Sequence, residues 1–509
     1  MAKVIDTPAG EPGASQGTFP LGVSRPPLEV LDLPTPEEVF GVEKVGAKET
    51  LKYAIGPALI ALGISVGSGE WLLGPLAIGT GGFRGFGWVI LLSALLQVFY
   101  CLEIGRYVVA TGEVPVVGFG RVPPGYLLWV PFALFCLYFA NILGGWAAAA
   151  GQGLMAIVEG EAVPTTDVRV KLVAIGLLVL VLLITLSANK ITRALELIAL
   201  GLVAFQLVTL FLIDVFIVPG SVWTEGVLGF ITPALPPGNV SATVVGGLAG
   251  FTALASGLNW YIFNHYRDKG YGMGYRIGFI AGMRGESKDV LPVGATFPDD
   301  AKNAALWKRW MHLLHIEMWG VFFGGAILGM LLPTLLMRQA VLVSGREPTE
   351  ENLPTFIADV MNQQYGRFLF YLVLVVGFLL LFDTQLAIFE ALVRNFVDAL
   401  NGMSGRFRKM IQGDPRRFYF PYMVFLIIVI SFIIFQSTPT TLILITANMS
   451  NFAALFFPFV LMYLNSKLPK PARPPKYTYV ILVLNVIFFG FFFINFVWDT
   501  FFGGPLIVL

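Results

Sequence analysis

The residues with the clearest chemistry are Gly67-Ser68-Gly69-Glu70-Trp71, in the middle of the first long apolar stretch. A carboxylate at membrane depth is costly unless a cation or a proton neutralises it. Glycine-rich interruptions free backbone groups from the helix, so that these groups can act as ligands. Glu70 therefore suits three roles: ligand of a hard cation, partner of an organic cation, or carrier of a coupling proton. The pattern is typical of a transporter.

A second acid, Asp383, lies with Thr384 inside the apolar run 368–389. His265, at the end of another apolar run, is a candidate for a proton path that also includes Glu70. Neutral oxygens add to the predicted ion- or substrate-binding set. They come from Gly67, Ser65, Ser68, Ser256, Asn259, Thr384, Asn448 and Asn451.

Two other sets of polar residues are better explained by structure than by binding. Glu390 and Arg394 are spaced four apart, which predicts a local helix pair near the cytoplasmic end of a segment. His312, His315 and Glu317 lack the spacing of a helical metal pair, and their position beside basic residues predicts a belt at the membrane interface.

Composition indicates the elements that must position these residues. The chain has 509 residues, of which 56% are hydrophobic and 13% charged. A soluble domain cannot bury that much apolar surface, so an all-α polytopic membrane protein is expected. Eleven transmembrane segments are predicted, numbered here in chain order: 53–81, 87–111, 124–157, 170–188, 192–218, 240–266, 310–337, 367–399, 418–436, 439–466 and 477–498.

The distribution of basic residues predicts the orientation. With the N-terminus in the cytoplasm, 27 of the 33 lysines and arginines lie on the inner side. The prediction is a multi-pass protein of the plasma (inner) membrane with a cytoplasmic N-terminus and an outer C-terminus. Residues 1–52 are expected to be cytoplasmic and largely disordered, 267–307 to form a cytoplasmic insertion, 339–366 an outer loop and 499–509 an outer tail.

Segment 6 repeats the feature of segment 1. Ala255-Ser256-Gly257-Leu258-Asn259-Trp260 again places Ser-Gly, a polar residue and a tryptophan inside an apolar run. Interrupted segments at equivalent positions of two halves indicate a binding site near the membrane midplane. The transporter domain 53–498 is therefore predicted as a 5+5 inverted repeat, 53–218 and 240–466, with one extra C-terminal helix at 477–498.

The chain resembles the Nramp divalent-metal transporters. The resemblance rests on Gly56-Pro57-Ala58-Leu59, the interrupted motif and the run Leu91–Gly112. It implies the LeuT-like fold, with segments 1 and 6 unwound around the substrate and segment 8 facing segment 1. It also implies that Asp383 and Thr384 complete an oxygen cage with Glu70, and that segment 10 lines the site.

The motifs depart from that family at its metal ligands. Its segment-1 motif is Asp-Pro-Gly-Asn, where this chain has Gly67 to Glu70. Its segment-6 motif is Met-Pro-His-Asn, where this chain has Ser256 to Asn259. Carboxylates and neutral oxygens without the thioether favour a hard ion such as Mg²⁺ or Mn²⁺. Glu70 and Asp383 are the predicted metal ligands.

The predicted function is secondary active transport of a divalent cation by alternating access, with protons as one candidate coupling ion. Two alternatives stay open: a proton- or sodium-coupled carrier of a small organic solute such as an amino acid, and a channel or sensor without active transport. The chain shows no nucleotide loop, no nucleophile–base arrangement and no nucleic-acid signature, so an enzyme is not expected. No cofactor is expected beyond the transported ion, and the expected partners are the lipid bilayer and a small substrate, with no obligate protein partner.

Overall fold

The structure is a computed structural model that describes residues 28–50, 52, 58, 60, 62–63, 66–187, 191–235, 241–254, 257–278, 293–412 and 414–503. Within these ranges, nine helices are long and apolar enough to cross a membrane. They correspond to segments 2–5 and 7–11: Gly87–Thr111, Tyr126–Glu159, Val168–Ser187, Leu197–Ile217, Ala301–Ser344, Arg367–Met403, Arg416–Ile434, Pro439–Ser466 and Lys476–Phe502.

Segments 1 and 6 do not appear in this set, because much of the first half of segment 1 lies outside the described residues and segment 6 is split. Segment 1 has a π-helical turn at Gly69–Leu73 followed by the helix Gly74–Gly81. Segment 6 consists of two short helices, Ala242–Phe251 and Leu258–Lys269. The sequence accounts for these interruptions in part, since the first contains Gly67 and Gly69 and the second contains Gly257, whose φ of 92° is readily adopted only by glycine. The total of eleven and the inverted repeat stay predictions.

Several membrane helices contain their own irregularities. Segment 3 is interrupted between Tyr126–Asn141 and Gly145–Glu159, where Gly144 has a positive φ of 74°. Segment 7 consists of Ala301–His315, a π-helical stretch Ile316–Phe323 and Gly324–Ser344. Segment 5 begins at Ile191 and segment 10 is divided into Pro439–Ala453 and Phe457–Ser466.

The connections contain short elements. Two parallel strands, Glu29–Val30 and Ala295–Thr296, join the N-terminal region to the cytoplasmic insertion. The remaining elements are the helices Pro36–Phe40, Ala47–Glu49, Pro115–Gly118, Gly220–Ile231, Gly274–Ile277, Leu353–Tyr365 and Gly405–Ile411, and the 3₁₀ turns Phe119–Arg121 and Lys470–Ala472.

Some predicted boundaries differ from the structure. Within the region 1–52, whose disorder stays a prediction, the described part contains the strand Glu29–Val30 and the short helices Pro36–Phe40 and Ala47–Glu49. The insertion 267–307 is helical at both ends, because the segment-6 helix continues to Lys269 and the segment-7 helix begins at Ala301. In the outer loop 339–366, the first residues belong to segment 7 and Leu353–Tyr365 is a helix. The last helix reaches Phe502, into the expected tail.

Segment 8 lies at the centre of the fold. It packs against the second half of segment 3, against segments 4, 5 and 9, and against the outer helix Leu353–Tyr365. The first half of segment 6 packs against segments 10 and 11, while the second half packs against segment 2. The two breaks are therefore surrounded by segments 2, 8 and 10, which position the candidate site.

Candidate functional site at the two helix breaks

The break in segment 1 folds the Glu70 carboxylate back onto its own turn. The Gly67 amide donates a hydrogen bond of 2.9 Å to Oε2 of Glu70, and the Trp71 amide donates one of 2.8 Å to the Gly67 carbonyl. Glu70 is fully buried, and its Oε1 has no hydrogen-bond partner. One carboxylate oxygen therefore caps the broken helix while the other remains available to a ligand.

The break in segment 6 lies directly against the break in segment 1. A Cβ at Gly69 would lie 2.1 Å from the carbonyl oxygen of Phe251, so only glycine permits this approach. The chain then turns at Ala253, whose φ of 67° is unusual for alanine. The backbone of Ala253 faces the Glu70 carboxylate. Backbone groups of segment 6 and the side chain of segment 1 thus meet at one point.

Segment 8 packs on the inner side of the first break, as the sequence predicts. A Cβ at Gly63 would lie 2.7 Å from Oδ2 of Asp383, and one at Gly67 would lie 2.0 Å from Oγ1 of Thr384. Asp383 and Thr384 of segment 8 therefore lie against Gly63 and Gly67 of segment 1. Asp383 is 4% exposed, and its Oδ2 has no hydrogen-bond partner. A second buried carboxylate oxygen is therefore available beside Gly63, four residues before Gly67 in the sequence.

A residue that the sequence analysis missed holds the second break in place. Gln97 of segment 2 donates a hydrogen bond to the Thr252 carbonyl and accepts one of 2.9 Å from the Leu254 amide. Its Oε1 also accepts a bond of 3.3 Å from Nδ2 of Asn259. One side chain thus binds both ends of the break. A glutamine inside an apolar helix was the available signal, since buried polar groups are rarely without partners.

Asn259 has a sulfur neighbour that the sequence did not suggest. Its Nδ2 lies 3.3 Å from Sγ of Cys101, a buried free thiol of segment 2. Because Nδ2 is bound by Gln97 and Cys101, the amide orientation of Asn259 is fixed on that side.

The remaining predicted neutral residues divide into three groups. Ser68 is buried at the first break. Asn448 and Asn451 donate hydrogen bonds of 2.9 and 3.0 Å to the backbone of the first half of segment 6, at Thr243 and Gly246, and their Oδ1 atoms have no partner. They hold the half-helix that leads to the break. Ser65 and Ser256 lie outside the described residues.

A second set of buried charges, named here the inner charge network, consists of Arg267, Asp268, Glu390, Arg394 and Asp398, whose side chains are at most 3% exposed. Nε of Arg394 lies 2.5 Å from Oε1 of Glu390, which confirms the predicted pair. The network is wider than predicted, because Arg394 also pairs with Asp268. Arg267 pairs with Asp268 at 2.7 Å and with Asp398 at 2.9 Å. The network therefore joins segment 6 to segment 8.

His265 borders this network. Its Nε2 lies 3.9 Å from Oε2 of Glu390, and its side chain is fully buried. The two predicted proton-path residues therefore lie at different places, Glu70 at the breaks and His265 beside the inner charge network.

The predicted interfacial belt is only partly found. His312 and His315 are exposed, as expected. Glu317 is fully buried, and its Oε2 accepts a hydrogen bond of 2.6 Å from the Tyr266 hydroxyl, while Tyr271 donates to Oε1. The assignment of Glu317 to the belt is wrong, because it lies on the buried side of the π-helical stretch. Among the described residues, no group of three or more His, Cys, Asp or Glu side chains is placed to hold a metal. Any ion at the breaks must rely on neutral oxygens as well.

Comparison with known proteins identifies the fold. No family model matches the chain, and no curated protein matches it. Solved structures of a manganese transporter from Eremococcus coleocola are similar. A single-site mutant of it has a TM-score of 0.54 and 14% identity, over 94% of this chain and 92% of that chain. Its complex with an aromatic bis-isothiourea substituted compound has a TM-score of 0.54 and 14% identity, over 91% of each chain. The chain therefore has the fold of that multi-pass membrane transporter.

Proposed function

We propose that this protein is a secondary active transporter of a hard divalent metal cation, Mg²⁺ or Mn²⁺, and that the ion binds at the contact between the two breaks. The observation that carries the proposal is Glu70: a fully buried carboxylate with one partnerless oxygen, at the contact of two broken helices. Such an intramembrane acid needs a cationic partner or a proton. The inner charge network contains arginines, but they are paired with its own acids.

The surrounding groups suit a hard cation. Oε1 of Glu70 and Oδ2 of Asp383 supply charged oxygens, and Thr384, Asn259 and Ser68 supply neutral ones, so that the set is dominated by the ligands that Mg²⁺ and Mn²⁺ prefer. The thiol of Cys101 contacts the side-chain amide of Asn259, and a soft sulfur ligand at the site would favour Mn²⁺ over Mg²⁺.

The fold supports transport rather than storage or sensing. The similar solved structures are those of a manganese transporter, and the likeness extends over nine tenths of both chains. In the proposed cycle, segments 1, 2, 6 and 7 rock against the other helices, with the N-terminus in the cytoplasm and the C-terminus outside. The glycines of segment 1 that contact segment 8 provide a smooth surface for that movement. Protons are the proposed coupling ion.

Uptake into proteoliposomes tests this proposal. The purified protein is expected to take up Mn²⁺ or Mg²⁺, and Glu70→Gln is expected to weaken binding by about 100-fold, or about 2.7 kcal/mol. Glu225→Gln, the same change at an outer residue that pairs with Arg338, is the matched control.

Calorimetry separates this function from its main alternative. If neither ion binds the wild-type protein at millimolar concentration, the metal proposal fails and a small organic solute becomes the better substrate. If the ions bind and are transported equally well by Glu70→Gln, Glu70 is not a ligand.

A further inference from the structure

Segment 5 contains a buried acid that the site above does not use. Asp214 lies near the outer end of the helix Ile191–Ile217 and is fully buried. Neither of its carboxylate oxygens has a hydrogen-bond partner. A charged group in this state is costly within a membrane, where water cannot compensate for the missing partners.

The side chain of Asp214 points into the helix bundle. Its neighbours Phe211, Leu212 and Val215 are about half exposed and form the lipid-facing side of the helix. Asp214 instead shares the buried side with Leu210 and Ile213. The acid is therefore enclosed by protein and apolar side chains rather than by lipid headgroups.

A second partnerless polar residue lies on the same side. Gln206 is fully buried, and neither its amide nitrogen nor its amide oxygen has a hydrogen-bond partner. It precedes Asp214 by about two helical turns, or roughly 12 Å along the axis. Two further turns inward, the Cβ of Ala199 lies 3.2 Å from the Cβ position of Gly63, which also faces Asp383. The buried side of segment 5 thus runs from the first break towards the outer surface.

Within the described residues, no charged group of a neighbouring helix pairs with Asp214. On segment 7, Arg338 pairs with Glu225 of the outer helix. On segment 8, Arg367 is exposed at the start of the helix, and Asp383 has the same charge sign as Asp214. The second half of segment 6 also packs against segment 5, and its charges Arg267 and Asp268 belong to the inner charge network.

The surroundings also select the kind of ligand. A metal cation requires several oxygen ligands at once, and the apolar neighbours Leu210 and Ile213 supply none. A proton neutralises a carboxylate without any further ligand. We propose that Asp214 is a proton-binding site on the outer half of segment 5, and that its proton is exchanged in each transport cycle along the buried side of this helix. The second part rests on the proposed transport function.

Infrared spectroscopy tests the first part without any transport. The wild-type protein, in nanodiscs at neutral pH, is expected to show a C=O stretching band of a protonated carboxyl group that Asp214→Asn removes and Asp383→Asn retains. Asp214→Glu is expected to restore a band, which guards against misfolding of the asparagine variant. An unchanged spectrum in Asp214→Asn would mean that Asp214 is ionised, and the proposal would fail.

Proton counting tests the second part. In proteoliposomes with an internal pH indicator, Asp214→Asn is expected to bind the metal with the wild-type Kd but to carry fewer protons per metal ion, and Asp214→Glu to restore the ratio. An unchanged ratio overturns the exchange, even if the band is present. If the wild-type protein transports no metal, the transport function fails, while the infrared band still decides whether Asp214 holds a proton.

Discussion

Two groups of buried charges differ in how their charges are balanced. At the breaks, Glu70 and Asp383 each have a carboxylate oxygen without a partner, and neither forms an ion pair among the described residues. In the inner charge network, Glu390, Asp268 and Asp398 are all paired with arginines. Both groups lie within apolar segments and at similar burial. The two groups therefore differ in their ion-pair partners and not in their burial.

The difference indicates separate roles. A buried pair that is fully hydrogen-bonded can be retained by the protein at all times, because the charges compensate each other. A buried acid without a partner is stable only when something from outside neutralises it, which is the condition for binding a cation and releasing it again. The inner charge network therefore connects segment 6 to segment 8, whereas the breaks hold the proposed ion-binding site.

The largest expected effect is a loss of stability when the inner charge network is broken. Arg394→Met leaves Glu390 and Asp268 without this partner, and removal of one member of a buried pair costs about 3–5 kcal/mol. Chemical unfolding in detergent measures the loss. Arg406→Met, at an exposed arginine that forms no ion pair with the described residues, is the control and should change little. Equal stability of the two variants would show that the network does not hold the fold together.

The same chemical change in the two groups should have opposite results. Glu390→Gln removes the charge that holds Arg394 and is expected to cost about 1.5–3 kcal/mol of stability. Glu70→Gln removes an uncompensated charge and is expected to leave stability within about 0.5 kcal/mol or to raise it. Thermal unfolding of both variants without metal measures this contrast. A large loss in Glu70→Gln would mean that Glu70 supports the fold rather than a ligand.

The sequence predicted those features that depend on a charge in an unexpected place. Glu70 and Asp383 are acids within apolar runs, and the glycines of the two breaks indicate irregular backbone. Asp214 carries the same signal and was overlooked, although the rule that identified Glu70 applies to it equally.

Other features could not be predicted because they depend on tertiary partners. Arg267 and Asp268 follow the apolar part of segment 6, where charges normally mark the membrane surface, so the insertion was expected to begin there. Their pairing with segment 8 allows the helix to continue, and only the structure supplies that pairing. Gln97 is similar, since nothing in its own segment indicates which backbone it binds.

Substitution of Gln97 is expected to have a smaller effect, and it tests whether segment 2 supports the breaks. Gln97→Met keeps the size of the side chain but removes its bonds to Thr252, Leu254 and Asn259. Because these bonds hold the second break against Glu70, metal affinity is expected to fall about tenfold, or about 1.4 kcal/mol. Titration calorimetry measures the change.

The control for Gln97 is another buried glutamine that binds backbone. Nε2 of Gln152 donates hydrogen bonds of 2.9 Å to the carbonyls of Val163 and Glu351, far along the chain from either break. Gln152→Met should lower stability as Gln97→Met does but leave the affinity unchanged. If both variants bind metal alike, Gln97 acts on the fold and not on the site.

The smallest expected effect is at the surface, where charge pairs do not carry the cost of burial. Arg309 donates to Oε1 of Glu37, and this hydrogen bond holds the pKa of Glu37 below its usual value. A lowered pKa contributes stability above the usual value, and that contribution is lost as the pH falls through the lowered one. Glu37→Gln should therefore reduce stability at neutral pH by at most about 1 kcal/mol and have no effect in acid. Thermal unfolding across pH measures this, with exposed Glu38→Gln as the control. A loss of stability as large as that of Glu390→Gln would contradict the distinction between buried and surface charge pairs, because a surface pair would then stabilise the fold as much as a buried one.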